Sequence, residues 1–137
     1  LSPATDLTMS GESWKHNLKK DIMLDPRNIR TSIEIYLQGA DPSSPLVSPL
    51  YADLHGFPPL LIQVGSDEVL LSDCERFAIL ARVAGVQVTL EVWDGMQHVW
   101  QFAASFLPEG RRAIARIGEF VDAEFSRPTA IQKESAI

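Results

Sequence analysis

The run 58-PPLLIQVGSDEVLLSD-73 decides the reading of the fold. Pro58 and Pro59 cannot donate to a ladder or continue a helix, so an element must begin after them. Residues 60-LLIQV-64 are apolar on both faces except at Gln63. A strand with one wet face would alternate. This one does not, and reads as the doubly covered strand of a parallel sheet. Gly65-Ser66-Asp67 ends it. A helix is expected from about 73 to 84, where Ser72 and Glu75 have the spacing of a capping box. Phe77, Leu80, Ala81 and Ala84 then share one face, and Gly85 suits the position just past the helix. A second strand is expected over 86-VQVTLEVW-93.

Working outward, Pro108 opens a last helix over about 109–125, with Ile114, Ile117 and Val121 on its apolar side. Strand, helix, strand, helix is a βαβα unit, which makes the chain α/β with parallel strands. Two strands make a poor sheet by themselves. The reading is therefore the C-terminal part of a single larger domain over 1–137. Within it, 1–57 forms loops and one short helix at about 27–38, begun by Asp25-Pro26 and ended at Gly39. The βαβα unit occupies 58–125, and 126–137 is expected to fray.

Bulk properties exclude several classes. The chain has 137 residues and a formal charge of 12 − 18 = −6. Its basic residues form no cluster larger than the pairs Lys19-Lys20 and Arg111-Arg112, so nothing tracks a phosphate backbone and no nucleic-acid partner is expected. No apolar run approaches the roughly 18 residues of a membrane helix. One cysteine, Cys74, permits no internal disulfide, and the cytoplasm is the expected compartment. Three scattered histidines and this cysteine do not make a metal site.

In open α/β sheets, functional groups collect at the carboxyl ends of the strands. The first strand delivers Asp67 there, and the second delivers His98 in 94-DGMQHVWQ-101. A carboxylate that orients an imidazole, and an imidazole that moves a proton, are the acid and base of nucleophilic catalysis. Asp67 and His98 are the candidate pair. Glu68 and Asp73 are rivals for the acid, and Asp73 is better explained as a first-turn helix carboxylate. His16 and His55 read as solvated loop residues, and Cys74 as a small buried side chain. Trp100 and Phe102 could line a pocket, with packing the favoured role. The nucleophile is not in the sequence: only Ser13 has glycine two residues before it, and Lys15 stands where the second glycine of G-x-S-x-G belongs.

Three stretches carry a resemblance: 1-LSPATDLTMSGES-13, 39-GADPSSPLVSPLYADLHGFPPLLIQVGSDEVLLSD-73 and 94-DGMQHVWQ-101. The chain resembles the C-terminal part of the hormone-sensitive-lipase-like esterases, an α/β-hydrolase family. The resemblance implies hydrolysis of carboxylic esters with short acyl chains, without a cofactor. It assigns Asp67 as the triad acid and His98 as the triad base. It also implies a cap, an oxyanion loop and a serine elbow, all expected upstream of Leu1 or on a companion chain. An alternative is a non-catalytic binding or assembly module derived from a hydrolase. The strand at 86–93 could form a sheet edge, through which a homodimer is plausible in either case.

Overall fold

The computed structural model describes residues 1–126. The expected fraying of 126–137 thus lies almost wholly outside the described residues. The elements are α1 (Ser13–His16), α2 (Pro26–Leu37), β1 (Leu60–Gly65), α3 (Leu71–Val83), β2 (Val88–Trp93) and α4 (Pro108–Phe125), with short 3₁₀ turns at Pro49–Tyr51 and Trp100–Ala103. β1 and β2 pair in parallel, in a register that runs from Leu60 opposite Val88 to Gly65 opposite Trp93. The chain divides into two compact units, Leu1–Trp100 and Gln101–Ile137.

In the first unit, the β1–α3–β2 segment buries Ile62, Val64, Cys74, Phe77, Ala78, Ala81 and Val86, together with Leu50 and Leu54. Each large apolar side chain removed from water in this way contributes about 1.5–3 kcal/mol. Gln63 is the polar exception in β1. It is fully buried, and its side-chain amide donates to Glu91 Oε2 across the pair at 3.0 Å. On the other edge of β1, the Ser2 amide donates to the Gln63 carbonyl at 2.7 Å. A smaller cluster joins Trp14 to Val69 and Leu70.

The expected elements exist, with changed ends. α3 begins at Leu71, two residues early, and the capping box does not form. Ser72 is engaged with Ser13 instead: its amide donates to Ser13 Oγ at 3.0 Å, and the Ser13 amide donates to Ser72 Oγ at 3.2 Å. A tertiary hydroxyl replaces the local cap. The buried face of α3 is Cys74, Phe77, Ala78 and Ala81, while Leu80 is exposed. At the other end, Gly85 (φ 82°) sends its amide to Arg82, and the Val86 amide reaches Ala81. This is a Schellman closure, and it consumes Val86, so β2 starts at Val88 rather than 86. α2 forms much as read, with the Asp25 side chain accepting from the Arg27 amide at 2.8 Å, and none of its residues is buried.

The second unit is dominated by α4, which has Pro108 in its first turn. Its expected apolar stripe is incompletely covered: Ile114 and Val121 are exposed, whereas Gly110 and Ala113 are buried. No described helix is long and apolar enough to cross a membrane.

Candidate active site

The loops that leave the carboxyl ends of β1 and β2 lie side by side. The Ser66 amide continues the ladder by donating to the Trp93 carbonyl at 2.9 Å. Gly65 is then so close to the histidine loop that a Cβ built on it would stand 2.0 Å from the Met96 carbonyl oxygen. Only glycine permits this approach. It brings 66–68 against 96–98.

The acid that meets His98 is Glu68. Glu68 Oε2 lies 3.1 Å from His98 Nδ1. The Glu68 side chain is 0% exposed and that of His98 is 23% exposed. The other carboxylate oxygen, Oε1, accepts from the Gly65 amide at 2.6 Å and from Ser2 Oγ at 2.7 Å. A buried carboxylate is tolerable only with such donors. The backbone around Glu68 is held as firmly: Asn17 Nδ2 donates to the Ser66 and Glu68 carbonyls at 2.9 and 2.8 Å, and the Val69 amide donates to Asp21 at 2.9 Å.

Asp67, the acid expected from the sequence, is turned elsewhere. Its carboxylate is 29% exposed and lies 3.9 Å from Lys20 Nζ. The pairing of Asp67 with His98 is thus replaced by Glu68 with His98. The physical reason is the turn. The Glu68 amide donates back to the Gly65 carbonyl, which folds residue 68 over the strand end and leaves residue 67 at its rim. Asp73, the other rival, is buried but pairs with Arg76 at 3.0 Å.

On the histidine side, Gly95 (φ 66°) makes the turn, and Val99 (φ 51°) occupies the left-handed region immediately after His98. A β-branched residue there is strained, and such strain collects at functional sites. Gln97 clasps a neighbouring segment: its Nε2 donates to the Lys20 carbonyl at 3.0 Å, and its Oε1 accepts from the Ile22 amide at 2.9 Å. The Trp100 ring packs on Trp93 with centroids 5.6 Å apart, as its favoured packing role requires. Phe102 is exposed. His16 is exposed, and His55 Nδ1 meets Asp53 at 2.5 Å, with both side chains open to water.

Arranged this way, His98 can hold its Nδ1 proton on Glu68 and present Nε2 as a base. Among the described residues, no trio of His, Cys, Asp or Glu is placed to hold a metal. Cys74 is fully buried, and burial pushes its thiol well above the ordinary range.

Comparison with known proteins identifies the fold family. A family model described as alpha/beta hydrolase fold matches residues 1–102. An acetyl-hydrolase of Streptomyces hygroscopicus is 47% identical over 121 residues, 88% of this chain and 40% of its own length. An esterase of Acinetobacter venetianus is 41% identical, with the same shares covered. Among solved structures, an esterase from the bacterial hormone-sensitive lipase family superposes with a TM-score of 0.89 at 49% identity, over 90% of this chain and 42% of that one. A hormone-sensitive lipase from a metagenome library gives 0.88 at 40% identity, over 90% and 43%. The chain thus spans about 40% of the length of the curated relatives it matches.

Proposed function

Because the chain belongs to the α/β-hydrolase fold family, among its hormone-sensitive-lipase-like esterases, we propose that it is the C-terminal portion of a carboxylic-ester hydrolase whose serine nucleophile lies outside these 137 residues. The observation that carries this reading is the Glu68–His98 pair at the strand ends. Glu68 takes the role that the sequence suggested for Asp67.

A serine hydroxyl adds to the ester carbonyl, and His98 Nε2 takes its proton. The imidazolium is stabilised by Glu68 through Nδ1–H. His98 then gives the proton to the departing alkoxide, which leaves as the alcohol, and an acyl-serine remains. Water adds to the acyl group, again losing its proton to His98, and serine is regenerated as the acid departs. No cofactor takes part. Short-chain acyl esters are the proposed substrates, in line with the names of the similar acetyl-hydrolase and esterase. β2 pairs with no further strand among the described residues, and a homodimer through this strand belongs to the same proposal, as does a cytoplasmic setting.

The test is a fluorophosphonate probe on the full-length polypeptide, read by intact mass. One covalent adduct on parent protein, with labelling strongly slowed by His98→Ala and Glu68→Gln but not by Asp67→Asn, is the expected result. An unlabelled parent would favour the non-catalytic assembly module instead. Solution mass tests the dimer, and a strict monomer would remove it.

A further inference from the structure

Resting on the reading of Glu68 as the acid, we propose that Ser2 is a positioning residue of the site, which locks the Glu68 carboxylate in the plane that faces His98. A glutamate carboxylate turns easily about its last torsion, which is broad and two-fold. Held by the Gly65 amide alone, it could swing and still keep one hydrogen bond. A second donor on the same oxygen removes that freedom. Ser2 Oγ is that donor, at 2.7 Å from Oε1 and 66 residues away in the chain. With Oε1 engaged twice, Oε2 is the oxygen left to face Nδ1 of His98 at 3.1 Å.

The backbone of Ser2 supports the same conclusion. Its amide is fixed on the edge of β1 by the 2.7 Å bond to the Gln63 carbonyl. Its φ is 38°, in the left-handed region that favours glycine. A residue with a side chain is held there against its own preference, as happens where the surroundings over-determine a geometry. Glycine would fit the backbone better but would leave Glu68 one donor short. Ser2 is 2% exposed, so the side chain is held away from solvent that would compete for its hydroxyl. This hydroxyl touches neither substrate nor the reacting atoms. It acts through Glu68.

Ser2→Gly and Ser2→Ala separate the hydroxyl from the backbone. Both remove the donor, and only Ser2→Gly also relieves the left-handed φ. In the full-length esterase, both are expected to lower kcat about tenfold or more, the scale of one hydrogen bond to a charged group. KM should stay within about twofold, because substrate contacts are untouched. The melting temperature of Ser2→Gly should match the parent. Parent-like kcat in Ser2→Gly, while Glu68→Ala abolishes activity, would overturn the role of Ser2 and leave the acid in place. Loss confined to Ser2→Ala would also overturn it, because Ser2→Gly removes the same donor. Parent-like activity in Glu68→Ala itself would remove both this role and the reading on which it rests.

Discussion

Two groups of buried carboxylates tie the first 21 residues to the β1–α3 segment, and they are built on opposite principles. In one, Asp6 and Asp73 share the Arg76 guanidinium at 2.9 and 3.0 Å, with both carboxylates fully buried. Asp6 also accepts from Ser10 and Thr8. In the other, Glu68 is fully buried too, but its donors are a hydroxyl, an amide and an imidazole. Arg76 is permanently charged, so the first group is locked. His98 carries an imidazole and its side chain is 23% exposed, so the second keeps one member open to solvent. Burial of a carboxylate thus does not mark an active site. The two groups differ in the nature of the partner and in that partner's access to solvent.

The comparison can be broken most sharply at the second group. In the full-length polypeptide, His98→Ala and Glu68→Gln should each lower kcat by roughly 10³–10⁴-fold, the scale for losing a triad member. Asp67→Asn should remain within a few-fold of parent. An esterase assay of the three variants decides this, and near-parent rates in Glu68→Gln would assign the pair to structure alone. At the first group, Arg76→Met should leave activity per folded molecule unchanged and lower stability by about 3–5 kcal/mol, because two buried carboxylates lose their shared cation. Urea titration measures it, and a loss below about 1 kcal/mol would show that the network is not a lock.

Gly65→Ala tests how closely the acid and histidine loops must approach. A Cβ 2.0 Å from the Met96 carbonyl forces the loops apart, at about 3 kcal/mol of stability, with esterase activity falling as well. Equal activity in this variant would show that the close approach is dispensable.

The pH response of the locked group has a definite sign. Burial pushes Asp73 up from 3.8 to about 6, against the pull of Arg76. Between those values the folded state holds a proton that the unfolded chain has released, so this site's contribution to stability falls as pH rises from about 4 to 6. Asp6 has the opposite sign. Burial pushes it up, but hydrogen bonds from Ser10, Thr8 and Arg76 outweigh this and hold it well below the usual carboxylate range. Its contribution is present above about pH 4 and is lost on further acidification. Asp73→Asn should therefore remove a downward slope of roughly 2–3 kcal/mol from the stability profile between pH 4 and 6. An unchanged slope would place the titration elsewhere. The smallest effect is expected at Val99→Gly, which relieves a left-handed φ of 51° beside His98 at a gain of about 1 kcal/mol or less. A melting scan with a parallel assay would show whether that strain holds the imidazole, in which case activity falls while the fold gains.

The sequence by itself determined the two strands, the helix between them, the parallel class and the place of His98 beyond the second strand. These rest on signals that neighbouring residues carry: unbroken apolarity in 60-LLIQV-64, Gly85 after a helix, and a histidine just past a strand. It also contained Glu68 as a rival but favoured Asp67; adjacent acids in a turn differ only in which way the turn faces. Tertiary structure made that choice by folding the Glu68 amide back on Gly65 and supplying Ser2, 66 positions away, as a donor. It likewise overruled the Ser72–Glu75 capping box, since Ser13 reached the helix start first. It also shifted the buried face of α3 to Cys74, Phe77, Ala78 and Ala81. Local periodicity fixes which elements form. Long-range donors decide which buried charge can be kept, and so which carboxylate faces His98.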